Sequence, residues 1–127
     1  MDGIKLTSSE WNVLNCLWEH GSCPLIQLVS ELEKDVGWAR STTITILGRM
    51  EAKGLVRCQQ TGRSKAYIPL VEREGAAITE TRSFLNRVYQ GSVELMMSAM
   101  VKSDGLSREQ ITQLRTILDE AEQEVKE

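Results

Sequence analysis

The first part of the chain carries three helix-forming segments in succession, and their order constrains the fold more than any other feature. A capping box, TSSE at residues 7–10, opens the first segment, and Pro24 suits the first turn of the second. In the third, which begins near Ala39, apolar residues recur at helical spacing. A glycine ends each helix that this pattern predicts: Gly21, Gly37 and Gly54.

Two short strand-forming runs follow the third helix. LVRCQQ and KAYIPL flank a turn at residues 61–63, which predicts a β-hairpin, and Pro69 marks its end because proline cannot donate within a ladder. Three helices and a hairpin are the order of a winged helix-turn-helix, whose third helix enters the DNA major groove. We therefore predict a mainly α fold with a small β-hairpin wing, with residues 1–71 as a DNA-binding domain.

The charge of the chain is unevenly distributed along its length. The net charge is −3, but residues 38–70 contain six basic residues and one acidic residue, a local balance of +5. Residues 71–127 contain seven basic and eleven acidic residues, a balance of −4. Local charge governs contact with phosphates, so we expect the basic half to bind DNA. The side chains expected to contact the DNA backbone are Arg40, Arg49, Lys53, Arg63 and Lys65.

The third helix contains residues that suit helices poorly, since the run TTIT at residues 42–45 is entirely β-branched. Helical spacing predicts an inward face formed by Thr43, Ile46, Leu47 and Met50. The opposite face is small or hydroxylated, so the helix can lie deep in a groove, where threonine offers a hydroxyl to base edges and a methyl to thymine. The alternative is a module that binds only other proteins, because some modules of three helices and a hairpin mediate only protein contacts.

Residues 72–127 contain three further helical segments, and we predict that they form a dimerisation domain. The middle segment, VELMMSAMV, is apolar almost all round, which requires burial on more than one side. A segment of this length can bury only a small hydrophobic core by itself. We therefore favour a dimer with a second copy of the chain over a self-contained bundle. The expected interface residues are Phe84, Leu85, Val88, Met96, Met97, Met100, Leu114 and Leu118.

The sequence favours neither metal binding nor catalysis. Cys16, His20 and Cys23 lie close together, but no fourth ligand is nearby, so we expect a small hydrophobe and a surface histidine rather than a metal site. No glycine-rich phosphate loop or placed nucleophile–base pair is present, and we expect neither an enzyme nor a bound cofactor. No apolar run has the length of a membrane span, and we expect a cytoplasmic chain without membrane insertion.

Five stretches in order resemble the penicillinase repressor (BlaI/MecI/CopY) family: LTSSEWNVLNCLWEHG, GWARSTTITILGRMEAKGLV, TGRSKAYIPLV, RSFLNRVYQGS and GLSREQITQLRTIL. The resemblance covers nearly the whole chain and is specific in combination. It implies a homodimeric winged-helix repressor of genes for β-lactam resistance or a related stress. A two-fold dimer is expected to bind an inverted repeat in operator DNA. In the type members a membrane sensor protease detects the antibiotic, after which the repressor is cleaved in its dimerisation half.

The reading helix of the family corresponds to residues 39–53 of this chain. The base-contacting positions of the family match Ser41, Thr42 and Thr45. Its wing-tip arginine matches Arg63. The type members have lysine where this chain has Ser41, proline where it has Arg40, and glutamine where it has Ile44. The DNA half-site is therefore expected to differ in detail.

Release from DNA is expected to act through the dimerisation half. In the type members the cut falls at an Asn-Phe bond a few residues before the last helix, and counting back from LSREQI places that bond at Ala99-Met100. Because the chemical pair differs, a ligand that loosens the same core is the alternative to proteolysis. The copper-responsive branch carries a C-terminal cysteine cluster, whereas this chain ends AEQEVKE, so a copper-type regulator is a less favoured alternative.

Overall fold

The computed structural model describes residues 5–103 and 105–125, which form six α-helices and three short β-strands. The bounds of these elements are α1 Ser8–His20, β1 Cys23–Pro24, α2 Leu25–Val36, α3 Arg40–Lys53, β2 Val56–Thr61, β3 Ser64–Pro69, α4 Arg73–Tyr89, α5 Val93–Ser103 and α6 Arg108–Glu124. The predicted fold class, mainly α with a small hairpin, is confirmed. The described chain divides into two compact units after Thr81, inside α4.

Local signals start and stop the helices of the first unit. At the start of α1, the Thr7 hydroxyl accepts from the Glu10 backbone N–H at 3.2 Å, and the Thr7 N–H donates to the Glu10 carboxylate at 2.8 Å. This is the predicted capping box. Pro24 lies one position earlier than expected, at the N-cap of α2. Gly54 ends α3 in the left-handed conformation, which glycine adopts without steric cost.

The sheet contains one strand more than the sequence indicated. The strand order is β1-β3-β2, and both pairs of neighbouring strands are antiparallel. In the pairing of β2 with β3, Val56 lies opposite Pro69 at one end and Thr61 lies opposite Ser64 at the other. The loop between them is Gly62-Arg63, where Gly62 has a positive φ of 62°, as the first central residue of a type II′ turn requires. The two residues of β1 are too few to show a strand pattern, and only their pairing with β3 defines the strand.

The core of the first unit explains how α3 forms despite its poor helix propensity. Three residues of the predicted inward face, Thr43, Leu47 and Met50, are buried, whereas Ile46 is only half-buried. They pack with α1 and α2, whose buried residues include Leu14, Leu17, Leu28 and Leu32. Burying one such side chain stabilises by about 1.5–3 kcal/mol, whereas a β-branched helix residue costs at most about 0.7 kcal/mol. Tertiary packing therefore outweighs propensity.

The start of α4 is attached to the first unit through Trp18. The indole Nε1–H of Trp18 donates to the Val71 carbonyl at 2.8 Å, and the guanidinium of Arg73 lies 5.4 Å from the Trp18 ring centroid. Ala76, one turn further along α4, is buried in the same core. The first turns of α4 thus belong structurally to the first unit, and the division of function after Val71 stays a prediction.

The second unit contains the end of α4 together with α5 and α6. The predicted capping box at the start of α6 is present, since the Ser107 hydroxyl accepts from the Gln110 N–H at 3.0 Å and the Ser107 N–H donates to the Gln110 side chain at 2.9 Å. Asp104, half of a predicted turn, lies outside the described residues. Within residues 82–103 and 105–125, no side chain is buried in a single chain. No described helix is long and apolar enough to cross a membrane.

Candidate nucleic-acid interface

The outer face of α3 brings the three predicted base-reading residues together. Ser41, Thr42 and Thr45 are all exposed, and with Ile46 and Arg49 they line a shallow depression of about 250 Å³. Ile46 was predicted to face inward, but it is half-buried and reaches the rim of this depression as well as the core. The exposed side chains offer three hydroxyls and one guanidinium, which are groups that hydrogen-bond to base edges and phosphates.

The N-terminus of α3 is suited to an anion. Ala39 is the N-cap residue and provides no side-chain acceptor, and no acidic residue occurs in the first turn. The positive end of the helix dipole is therefore not neutralised by its own first turn, and Arg40 at that position is exposed and adds a full positive charge. Sequence motifs alone did not indicate this feature, because a missing cap is defined by the helix boundary.

The hairpin of β2 and β3 carries a basic tip. Arg63 occupies the two-residue loop, and Lys65 follows at the start of β3; both side chains are exposed. A hairpin with a short loop holds its tip residue at a defined place relative to the sheet. The wing therefore presents cationic side chains on a rigid support, as contact with a phosphate backbone requires.

Lys53, predicted to contact the DNA backbone, has an intramolecular partner. Its ammonium group pairs with the Glu10 carboxylate, which is only 6% exposed, and so joins the end of α3 to the start of α1. Burial by itself raises the pKa of Glu10, but the hydrogen bond from Lys53 and those from Thr7 outweigh it and leave the pKa lowered. Contact of Lys53 with a phosphate stays a prediction, and such contact would compete with this pair.

The lowered pKa of Glu10 predicts an acid-sensitive first unit. A carboxyl whose pKa is lowered in the folded state stabilises above its unfolded value of 4.5, and that stability is lost as the pH falls through the folded value. Glu10→Gln keeps an oxygen for the capping box but removes the charge. We expect it to lower the free energy of unfolding by about 1 kcal/mol at pH 7, because Lys53 is partly solvated.

Urea unfolding followed by tryptophan fluorescence measures this effect, since Trp11, Trp18 and Trp38 all lie in the first unit. The difference between the wild-type protein and Glu10→Gln should shrink as the pH is lowered from 7 to 3. Glu51→Gln, at an exposed position of α3, serves as the control and should show no such difference. A difference that stays constant over this pH range would contradict the role of the Glu10 charge.

The chain is similar in sequence to a penicillinase repressor and to a methicillin resistance regulatory protein. The sequence model of the penicillinase repressor family matches residues 6–120. The penicillinase repressor of Bacillus licheniformis is 31% identical over 123 residues, which cover 97% of this chain and 96% of that protein. The methicillin resistance regulatory protein MecI of Staphylococcus aureus (strain N315) is 26% identical over 115 residues, covering 91% of this chain and 94% of that protein.

Two solved structures share the fold. The solution structure of the DNA-binding domain of the repressor BlaI matches with a TM-score of 0.53 at 28% identity, covering 59% of this chain and 93% of that domain. A MarR family protein from Bacillus stearothermophilus matches with a TM-score of 0.52 at 22% identity, covering 98% of this chain and 78% of that protein. The second similarity concerns the fold alone. The first supports the DNA-binding interpretation of the winged helix.

Proposed function

This chain belongs to the penicillinase repressor family, and from that premise we propose that it is a homodimeric repressor that binds an inverted repeat in operator DNA. The observation that carries the proposal is the exposed face of α3, where Ser41, Thr42 and Thr45 surround a depression beside Arg49. A helix with small hydroxylated side chains can approach base edges in the major groove closely. Because these relatives are named penicillinase repressor and methicillin resistance regulatory protein MecI, genes of β-lactam resistance are the proposed targets.

In the proposed complex the residues divide into two roles. Ser41, Thr42 and Thr45 contact base edges in the major groove. The basic side chains around this face hold the register by contacting phosphates, and they are Arg40, Arg49, Arg63, Lys65 and, in competition with its Glu10 pair, Lys53. The uncapped N-terminus of α3 donates backbone N–H groups to a further phosphate.

The proposed dimer rests on the apolar surface of the second unit. In a single chain the described residues 82–103 and 105–125 bury no side chain, although their helices carry many large apolar residues. Leu118 is 64% exposed, Leu95 57% and Met100 47%. An isolated unit of this size and exposure has too little core to be stable. A second copy that covers the same faces supplies the missing burial and creates a two-fold axis.

Binding of the purified chain to DNA from the promoter region of its own gene tests this function. A repressor of this kind should bind one fragment tightly, with an affinity that falls steeply as the salt concentration is raised, because each phosphate contact releases counterions. The protected sequence should be an inverted repeat whose half-sites lie about one helical turn apart or a multiple of it. A protein-interaction module would show neither property, and binding without salt dependence would defeat the proposal.

Release from the operator is proposed to act through the second unit, with a membrane sensor protease as the partner. The bond Ala99-Met100 lies within α5, so a protease reaches it only after local unfolding of that helix. In a lone subunit no side chain of α5 is buried, which makes such unfolding inexpensive. A cut there would separate the apolar helix into two parts and open the shared core. A ligand that loosens the same core is the alternative.

Intact mass measurements on producing cells treated with a β-lactam distinguish these two routes. If proteolysis is the route, the full-length mass should be replaced by fragments of residues 1–99 and 100–127 as the operator is freed. A freed operator with a full-length chain would exclude cleavage and leave the ligand. Untreated cells provide the control.

A further inference from the structure

Three potential metal-binding side chains meet between α1 and α2. Cys16 and His20 lie one helical turn apart on α1, and Glu31 approaches both from α2. The Cys16 Sγ lies 3.7 Å from Glu31 Oε1, and the His20 Nε2 lies 3.3 Å from that same oxygen and 3.2 Å from Oε2. All three ligand atoms lie within 4.8 Å of one another. No metal site was expected from the sequence, because no fourth ligand lies near Cys16, His20 and Cys23 in the chain; Glu31 is 15 residues from Cys16.

Two of the three ligand–ligand distances match those of a tetrahedral coordination site. With usual zinc–ligand bond lengths, a tetrahedral zinc ion places a thiolate sulfur about 3.6 Å from a carboxylate oxygen and an imidazole nitrogen about 3.4 Å from that oxygen. The observed edges are 3.7 Å and 3.3 Å. The third distance, between the Cys16 sulfur and the His20 nitrogen, is at most 4.8 Å and must shorten by at most about 1.2 Å to reach the tetrahedral geometry. His20 lies at the end of α1 with 30% of its side chain exposed, so its imidazole has room to move.

We propose that Cys16, His20 and Glu31 form a binding site for a divalent zinc-type cation that joins α1 to α2. One thiolate, one imidazole and one carboxylate are three zinc ligands of the types that proteins use. The site is reached from solvent, since Glu31 is 31% exposed while Cys16 is buried at the base of the cluster. The proposal depends on these contacts within the first unit and not on DNA binding.

Proton release accompanies the proposed binding. Burial, reinforced by Cys23 and Glu31, raises the pKa of Cys16 to about 12, so its sulfur carries a proton when no metal is bound. Hydrogen bonds from Gln27 and then His20 lower the pKa of Glu31, which is therefore a carboxylate. As the metal–sulfur bond forms, the sulfur–hydrogen bond breaks and the proton passes to solvent. The hydrogen that His20 Nε2 donates to Glu31 also passes to solvent, and the neutral ring carries its hydrogen on Nδ1 when Nε2 binds the cation. The hydrogen bonds to Glu31 from Cys16 and His20 are then replaced by bonds from all three groups to the cation.

Two neighbouring residues complete the arrangement. Gln27 donates to Glu31 Oε2 at 3.2 Å and so orients the carboxylate, as outer hydrogen-bond partners of metal ligands do. The buried thiol of Cys23, at the start of β1, is near Cys16 but lies outside the group of ligand atoms that are within 4.8 Å of one another, so it reaches the fourth position only if it moves; water is the other candidate. The spectrum of a bound cobalt ion separates these two, since a second thiolate strengthens the charge-transfer absorption.

Cobalt titration of the full chain tests the site. The protein, without an affinity tag and with its cysteines kept reduced by a non-thiol reductant, is freed of metal by a chelator and titrated with Co²⁺. We expect one ion per chain, a sulfur-to-cobalt charge-transfer band and the visible bands of tetrahedral Co²⁺, all displaced by Zn²⁺. Cys16→Ser should abolish the charge-transfer band if water holds the fourth position, and should weaken it if Cys23 does. Because the Cys16 side chain is buried, its replacement also disturbs the core of the first unit. His20→Gln and Glu31→Gln change side chains that are partly exposed, and so they test the site without that disturbance.

Matched controls make the result decisive. His20→Gln and Glu31→Gln should weaken Co²⁺ binding by at least about tenfold. Glu33→Gln, at an exposed position of the same helix, and Cys58→Ser, on β2, should leave both the affinity and the spectrum unchanged. Absence of the charge-transfer band in the wild-type chain would overturn the proposal. A band that persists with equal affinity in His20→Gln and Glu31→Gln would overturn it too.

Discussion

Replacing Leu118 by glutamate should convert the protein into a monomer and lower its affinity for operator DNA by about 10²–10⁴-fold. Leu118 is 64% exposed in a single chain, so a charge there costs little within one subunit. In the proposed dimer the same position is covered by the second copy, and a buried unpaired carboxylate is strongly unfavourable. Each lone subunit would then bind one half-site without the gain that comes from linking two.

Sedimentation at several concentrations and operator binding measure the two parts of this effect. Gln113→Glu introduces the same charge at an exposed polar position of α6 and should leave the dimer and its affinity unchanged. Tryptophan fluorescence should stay native in Leu118→Glu, because all three tryptophans report on the first unit. A monomer that still binds the operator tightly, or a Leu118→Glu protein that still sediments as a dimer, would refute this role of the second unit.

Replacing Arg63 by alanine and replacing Thr45 by alanine should impair DNA binding in different ways. Arg63→Ala removes one phosphate contact from the wing tip, so it should weaken binding to every DNA sequence and reduce the salt slope by roughly one unit. Thr45→Ala removes a hydroxyl and a methyl from the reading face of α3. It should reduce discrimination at one base pair by about 1–3 kcal/mol and leave the salt slope intact.

Binding to the operator, to single-base variants and to unrelated DNA over a range of salt separates these outcomes. Arg108→Ala, which removes an exposed arginine from the start of α6, should alter neither quantity. The assignment of roles fails if Arg63→Ala behaves like this control. It fails equally if Thr45→Ala weakens all sequences to the same extent.

The order of the helices and of the two hairpin strands in this protein was readable from the sequence because short-range contacts define it, whereas β1 is defined only by its pairing with β3. The capping boxes at Thr7 and Ser107 each join residues three apart, and Gly54 ends α3 through its own backbone conformation. The period of the apolar residues likewise identified the buried face of α3, where Thr43 and Leu47 lie in the core. Each of these signals is complete within one or two helical turns.

The candidate interface was predictable in part for the same reason. Helical spacing alone turns Ser41 and Thr45 away from the buried face, and the hairpin pattern puts Arg63 at its tip. The uncapped start of α3 and the shared depression beside Arg49 became visible only when the helix boundary and the side-chain positions were known. Their roles toward DNA stay predictions that the two alanine variants test.

Only the tertiary structure decided which distant side chains meet. Glu10 and Lys53 are 43 residues apart and pair because α1 and α3 pack together, which gives a predicted phosphate contact a competing role. Glu31 is 15 residues from Cys16, and only the packing of α2 on α1 turns an isolated cysteine and histidine into a three-ligand cluster. The period of the apolar residues identifies the apolar face of a helix. Which side chains at the border of that face contact a neighbouring helix depends on how the packed helices are rotated and shifted relative to each other.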